Sequence, residues 1–523
     1  MKFTTNPGQA LCLSCLLLLL PVVLLLGGLS EGSVASTLFI GEAMFVCGVA
    51  LLTLERRDSS LPVLLQWFVV AYSLRVGFTI FIHVTATTVQ GSPFLCGDES
   101  EFYQAAQPLL TAWHNGTILR QSPEWYQLGY WAWLHIIGLV RFTGETLGGD
   151  TVLNVKFVSC GAGALIVPYV YALAGTIFDK KTARVAAGLA LLLPDYWLFS
   201  ATLLRDVLVS CVILIVFYQV LMCVYCRFRW WRVAVALLLN FGLLLFLRSS
   251  VSFLLVGMVV CCVLWDWAHR SRAHRLLFFS ATCVLAAGFV LGLVVLAGRA
   301  APYQKFLNVV QTHGVLSRAM DRYTDKAVQE ASDDSLGVLF VKLPVCLRVP
   351  ISAFRLLFLP IPPWGPLQTQ TYFNLTRALL ETVAGCAWYA LLPFLTVGVV
   401  ATLRYRKPPT AWIWIPAFVF VLALAVNTGL TARWRLMPMP FLLVLVAQGW
   451  VLRAQYRQLV GLVILLVVAL LASYILIKYL WPTLGVLSLA TGLAPAFVIC
   501  LADALRRRNE SRGPLGSCIS GTS

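Results

Sequence analysis

Residues 206–226, DVLVSCVILIVFYQVLMCVYC, decide the fold. After Asp206 the run carries no charged residue, and at 1.5 Å per residue it is long enough to cross roughly 30 Å of hydrocarbon. Backbone groups in lipid have no water to bind, so the segment must form its hydrogen bonds within itself. The sequence therefore predicts a transmembrane helix here.

Similar runs recur along the whole chain. Its 523 residues are 60% hydrophobic and 12% charged, with a mean hydropathy of +0.84, and a soluble protein of this length could not bury so much apolar surface. We expect an all-α, polytopic transmembrane bundle of about 13–14 spans, the first of which could instead be a signal peptide or anchor. The spans are expected near 10–29, 36–54, 62–85, 152–177, 185–201, 206–226, 233–247, 250–267, 276–298, 380–402, 410–427, 437–452, 457–479 and 483–502.

The net charge of +17 is distributed as a topology signal. With the N-terminus inside, short cytoplasmic segments collect most of the basic residues, among them Lys180, Lys181 and Arg184 in one turn and Arg506, Arg507 and Arg508 in the tail. This is the positive-inside bias of membrane proteins. The excess of basic residues therefore predicts an integral, multi-pass protein of the plasma or inner membrane, and it does not predict a nucleic-acid partner.

Two long segments on the non-cytoplasmic side divide the chain. Helices 1–85 precede an acidic and aromatic loop at 86–151, a bundle at 152–298 and a second loop at 299–379; further spans at 380–505 and a disordered cytoplasmic tail at 506–523 follow. The segment 125–133 is rich in Trp and Tyr and predicts an interfacial helix. Loops of this size are usually functional, so we expect the active face to be periplasmic, extracellular or luminal.

The first loop carries three carboxylates, Asp98, Glu99 and Glu101, with Tyr103 shortly after them. One carboxylate could take a proton from a nucleophile, and a pair could hold Mg²⁺ or Mn²⁺, although the metal ligands themselves stay unknown. If Glu99 begins a helix, Tyr103 lies one turn later on the same face. The alternative is a solvated acidic loop in which Asp98 caps a helix.

Several arginines lie against the positive-inside bias, at the non-cytoplasmic ends of spans: Arg205 beside Asp206, Arg248, Arg433 and Arg435. Guanidinium groups at the depth of lipid headgroups are suited to bind a phosphate with two hydrogen bonds. The alternative is that each arginine simply reaches toward the headgroups from an ordinary helix end. Two further charges, Arg75 and Lys156, lie within spans, where charges are rare and often functional.

These motifs together resemble the GT-C superfamily of membrane glycosyltransferases, which use polyprenyl-phosphate sugars and include the protein O-mannosyltransferases and the aminoarabinose transferases of lipid A. The resemblance covers about residues 90–450. It rests on Asp98-Glu99 with the following Tyr103, Ala105 and Ala106, on the turn 178–187 with Pro194, on 200–206, and on the arginine-and-proline segment 431–440. A proline-tryptophan segment at 358–364 resembles polysaccharide-assembly relatives.

The resemblance implies that a sugar leaves a polyprenyl phosphate for a glycan, lipid or protein acceptor. Asp98 would be the base, Glu99 would orient the acceptor or hold a metal, and arginines would stabilise the leaving phosphate. The substrate-binding residues would be Glu101, Tyr103, Arg205, Asp206, Arg248, Arg433 and Arg435. Two alternatives stay open: a polymerase or ligase of lipid-linked polysaccharides, and a lipid or solute transporter.

Overall fold

The structure is a computed structural model, and it describes residues 30–55, 60–117, 130–149, 151–226, 230–270, 353, 356–358, 363–368, 375–405, 410–425 and 432–479. Within these ranges the regular elements are all helices, which confirms the predicted all-α class. The helices are α1 (Glu31–Glu55), α2 (Leu61–Gln90), α3 (Gly97–Ala105), α4 (Gln107–His114), α5 (Trp131–Thr146), α6 (Val152–Ile177), α7 (Lys180–Leu192), α8 (Pro194–Ser200), α9 (Asp206–Cys226), α10 (Trp230–Leu247), α11 (Ser249–Arg270), α12 (Gly365–Gln368), α13 (Leu375–Tyr405), α14 (Ala411–Ala425), a 3₁₀ helix (Ala432–Leu436), α15 (Met439–Leu452) and α16 (Arg457–Tyr479).

Helices of membrane-spanning length confirm a multi-pass protein. Among the described residues, five stretches are long and apolar enough to cross a bilayer: Gly32–Leu54, Leu61–Val89, Val152–Ile177, Asp206–Tyr225 and Leu375–Arg404. Shorter apolar helices occupy other predicted spans, such as Met439–Leu452. The spans expected at 10–29, 276–298 and 483–502, the disordered tail at 506–523, most of the second long loop and the start of the aromatic segment 125–133 lie outside the described residues.

The span predicted at 185–201 is wrong as a single helix. The chain forms two short helices instead, α7 and α8, separated at Leu193, whose φ of −64° and ψ of 120° are extended. Pro194 causes this break, because it lacks an N–H group and disfavours helical geometry in the residue before it.

Arg75, the charged residue predicted to lie within a span, binds the end of α7. Its Nη2 donates a hydrogen bond of 3.1 Å to the carbonyl of Ala190, and Trp197 Nε1 donates to the carbonyl of Leu191. These carbonyls lie in the last turn of a helix, where the partial charge is negative and intrahelical partners are missing. Arg75 is fully buried and acts as a cap for a broken helix inside the core.

The core is centred on α6, which packs against α1, α2, α7 and α9. Elsewhere in the bundle α13 lies directly against α15, where Gly398 and Gly449 have no room for a side chain beside the carbonyls of Leu445 and Phe394. Small residues at such a crossing let two helix backbones approach closely, which is a common device in membrane proteins. This packing positions the 3₁₀ helix that precedes α15.

Candidate active site

Asp98 and Glu99 begin α3, a helix of nine residues that follows the extended residue Cys96. Both carboxylates lie in the first turn, where unpaired N–H groups favour negative charge. Their environments are opposite, because the side chain of Asp98 is 46% exposed whereas that of Glu99 is fully buried.

Arg433 on the 3₁₀ helix meets Asp98. Its Nη1 lies 2.5 Å from Asp98 Oδ2, although the two residues are 335 positions apart in the chain. Burial lowers the pKa of Arg433, but the negative charges of Asp206 and Asp98 outweigh burial and the pKa is raised overall. The predicted meeting of an acidic residue and an arginine at one site is therefore present in the structure.

Two further arginines lie beside this pair. Arg248 Nη1 is 2.7 Å from Asp206 Oδ1, and its guanidinium lies 4.4 Å from the ring centroid of Trp434. Arg205 lies 3.6 Å from the ring centroid of Tyr130.

The charges of Arg205 and its neighbours act on one another. The pKa of Arg205 is lowered to about 10, because burial and the positive charges of Arg248 and Arg433 lower it more than Tyr130 and Asp206 raise it. The group therefore stays charged at neutral pH. Arg205 Nη1 donates a hydrogen bond of 2.5 Å to the carbonyl of Leu247, which holds the guanidinium at the end of α10.

These five residues form what we call the arginine–aspartate cluster: Asp98, Arg205, Asp206, Arg248 and Arg433. Three guanidinium groups face two carboxylates, so the cluster carries one excess positive charge. Its members come from α3, the turn before α9 and the first residue of α9, the turn between α10 and α11, and the 3₁₀ helix. Such an excess, partly shielded from water, is suited to bind an anion.

Glu99 lies apart from the cluster, against α6. Its Oε2 is 3.7 Å from Lys156 Nζ, and neither side chain has any exposed surface. Burial raises the pKa of Glu99, whereas Lys156 and the backbone N–H groups of Leu95 and Leu203 favour its charged form. The intramembrane charge of Lys156 therefore has a partner, and Glu99 in this position presents no surface to an acceptor or a metal ion.

Arg435 is also separate from the cluster. Its Nη2 lies 3.1 Å from Asp195 Oδ2, its side chain is 1% exposed, and its guanidinium lies 4.7 Å from the ring centroid of Trp388. The sequence grouped it with Arg433, but the two side chains bind different partners. The signal that could have identified Asp195 was a carboxylate in an apolar run, where charges are rarely left unpaired.

Glu101 and Tyr103 lie further along α3. Glu101 is exposed, whereas the ring of Tyr103 packs 3.9 Å from the guanidinium of Arg141. Arg141 also donates hydrogen bonds of 2.8 Å to the carbonyl of Tyr103 and to Gln107 Oε1. An open cleft of about 440 Å³ is lined by Tyr103, Gln107 and Arg141 together with Phe94, Gln104 and Val152. The sequence did not identify Arg141, because it lies within the helical part of the predicted loop.

The side chains of the cluster do not fit a divalent cation. No group of three or more potential metal ligands occurs among the residues for which the structure gives positions. The two carboxylates of the cluster are each bound by an arginine, at 2.5 Å for Asp98 and 2.7 Å for Asp206. A Mg²⁺ or Mn²⁺ ion would have to displace these guanidinium groups and sit beside three positive charges.

No protein-family model matches the sequence, and a comparison with curated proteins also gave no match. Solved structures do align with it. The chain resembles archaeal oligosaccharyltransferases. The Archaeoglobus fulgidus oligosaccharyltransferase AglB, in complex with an inhibitory peptide and a dolichol-phosphate, aligns over 84% of this chain and 56% of its own, with 15% identity and a TM-score of 0.44.

The oligosaccharyltransferase of the same organism in complex with Zn and sulfate aligns over 83% of this chain and 53% of its own, with 14% identity and a TM-score of 0.44. The present chain thus spans just over half the length of the structures that it matches.

Proposed function

We propose that this protein is a membrane glycosyltransferase that moves a sugar from a polyprenyl-phosphate donor to an acceptor at the non-cytoplasmic face of the bilayer. The observation that carries the proposal is the contact between Asp98 and Arg433 within a cluster of excess positive charge. A transferase of this kind needs an acid–base group and a cationic site for phosphate within reach of each other. Both lie on the short elements that connect the apolar helices.

In the proposed reaction, an acceptor hydroxyl or amine attacks the anomeric carbon of the donor sugar. The bond from that carbon to the acceptor forms as the bond to the phosphate oxygen breaks. Asp98 takes the proton of the acceptor, and the polyprenyl phosphate leaves with the electrons of the broken bond. Arg433, Arg248 and Arg205 stabilise the charge that develops on this phosphate, since preorganised donors act most strongly where charge appears.

Arg433 has two roles to reconcile, because in the structure its guanidinium is bound to Asp98. A guanidinium carries five N–H donors in a fixed fork and can bind a phosphate and a carboxylate edge in turn. When the donor binds, the guanidinium of Arg433 exchanges its hydrogen bond to Asp98 for one to the phosphate. The carboxylate of Asp98 is then available to accept a proton. Asp206 keeps Arg248 oriented during this exchange. Glu101 and Tyr103, which follow Asp98 along α3, contact the acceptor.

The experiment is transfer of label from a panel of radiolabelled polyprenyl-phosphate hexoses and pentoses by the purified protein. Asp98→Asn keeps the shape of the side chain but cannot take a proton, so we expect transfer to fall by about 1,000-fold, within the range known for acid–base groups. Glu145→Gln is the matched control, because Glu145 is a partly exposed carboxylate paired with His114 on other helices. Full transfer by Asp98→Asn would refute the proposed base.

Mass spectrometry of the product separates this proposal from the polymerase alternative. A transferase adds one sugar to the acceptor, so the product mass rises by one residue. A ladder of masses would instead identify a polymerase or ligase, and label that crosses the membrane without covalent change would identify a transporter.

A further inference from the structure

Two short motifs of this site each combine a partly exposed charge with a buried one. In the first motif the side chain of Asp98 is 46% exposed and that of Glu99 is 0% exposed. In the second the side chain of Arg433 is 32% exposed and that of Arg435 is 1% exposed. The exposed members bind each other, whereas each buried member pairs with a residue of another helix.

Glu99 lies where three segments meet. Its carboxylate pairs with Lys156 of α6, and the N–H groups of Leu95 and Leu203 face it from the start of the acidic motif and from the turn that leads to Arg205. Cys96 Sγ lies 3.8 Å from Glu99 Oε1. One buried carboxylate thus ties α3, α6 and the turn of the arginines together.

Lys156 completes this connection from the other side. Its Nζ donates a hydrogen bond of 2.7 Å to the carbonyl of Pro93, six residues before Glu99. A single lysine therefore holds both the approach to α3 and its first turn. A buried charge is costly unless it is paired, so each member of the pair fixes the place of the other.

The ion pair of Glu99 and Lys156 sets the rotation of α3 about its own axis. A helix of nine residues is marginal alone and takes its orientation from its contacts. Successive residues of an α-helix point about 100° apart, so the inward direction of Glu99 determines the direction in which Asp98 leaves the helix. In the structure that direction leads to Arg433.

We propose that Glu99 and Lys156 are positioning residues that hold Asp98 against the arginine cluster, and that neither touches the substrate. The proposal rests on the proposed function, since it assigns the proton transfer to Asp98. Arg435 is the corresponding positioning residue for Arg433. The contact of Arg435 with Asp195 fixes the rotation of the 3₁₀ helix, and because residues two apart in such a helix point in different directions, this rotation sets the direction of Arg433.

The test is a double-mutant comparison in the full-length protein, with the kcat of transfer and the KM for the donor as readouts. Lys156→Met leaves Glu99 buried without its partner, so α3 shifts and Asp98 is misplaced. We expect kcat to fall by about 100-fold, as for a misplacement of about 1 Å. The donor KM should change much less, because Arg205 and Arg248 are also held by the carbonyl of Leu247 and by Asp206. Glu145→Gln is again the control.

Adding Glu99→Gln to Lys156→Met removes the unpaired charge and keeps an acceptor for Leu95 and Leu203. Replacing both members of a buried pair is often close to neutral, so we expect kcat to return to within about tenfold of the wild-type value. If Glu99 were itself the base, the double variant would be as inactive as Glu99→Gln alone. That result would overturn the proposal.

A second measurement does not depend on transfer. Cys96 is partly buried beside Glu99, and burial together with the Glu99 charge raises the pKa of its thiol to about 11. Lys156→Met should speed the alkylation of Cys96 by N-ethylmaleimide, followed by peptide mass spectrometry, because α3 shifts and the partly buried thiol beside Glu99 becomes more accessible. Lack of transfer by the wild-type protein would contradict the proposed function alone, and full transfer by Asp98→Asn would contradict only the role of Asp98 as the base. Unchanged Cys96 alkylation would overturn the positioning role.

Discussion

At the scale of single residues, neighbouring charges in the sequence have different tasks. Asp98 faces the arginine cluster and Glu99 faces the core, and the same division separates Arg433 from Arg435. The sequence predicted that an acidic residue and an arginine would meet, because both lie at the same ends of predicted spans. The sequence could not show which residue of each pair faces the cluster and which faces the core, since this depends on the rotation of α3 and of the 3₁₀ helix.

The pairing of Asp98 and Asp206 with arginines leads to a prediction about metals. Transfer by the purified protein should not change after treatment with EDTA, and Mn²⁺ titrated into it should show no tight binding by electron paramagnetic resonance. The physical reason is that each carboxylate is already bound by a guanidinium in a site of excess positive charge. Loss of transfer with EDTA, restored by Mg²⁺ or Mn²⁺, would contradict this prediction.

At the scale of elements, breaks and short helices create the site. Pro194 interrupts the helical run predicted at 185–201, so that Asp195 lies in the first turn of α8 and reaches Arg435. The proline was visible in the sequence, but apolar length favoured a single span. The long helices were predictable because lipid requires helices of a known length, whereas the contact of Asp195 with Arg435 joins residues 240 positions apart.

We predict that Asp195→Asn destabilises the protein, because it leaves the Arg435 guanidinium buried without its counter-charge. Breaking one side of a buried pair costs about 3–5 kcal/mol. The melting temperature in detergent should fall, and Asp195→Asn with Arg435→Met should recover most of the loss. The control is Arg453→Gln, an exposed arginine over Trp450. A melting temperature unchanged in Asp195→Asn would contradict the anchoring role.

At the scale of the whole molecule, the fold brings together charges that lie far apart in the chain. Arg205, Arg248 and Arg433 precede or separate apolar helices, and packing of these helices around α6 and α15 brings the arginines to Asp98. Hydrophobic runs and charge distribution predicted the helices. They could not predict which turns meet, because helix order in the bundle is not encoded by hydropathy.

The central claim is that this convergence makes a binding site for a lipid phosphate. Its most direct test is the equilibrium binding of a short-chain polyprenyl phosphate, measured in detergent with the wild-type protein, Arg433→Gln, Arg248→Gln and the control Arg453→Gln. A hydrogen bond to a charged group contributes about 1.5–3 kcal/mol, so each cluster variant should bind about 10- to 100-fold more weakly, and the control should bind as the wild type does. Equal affinity in all four proteins would contradict the account.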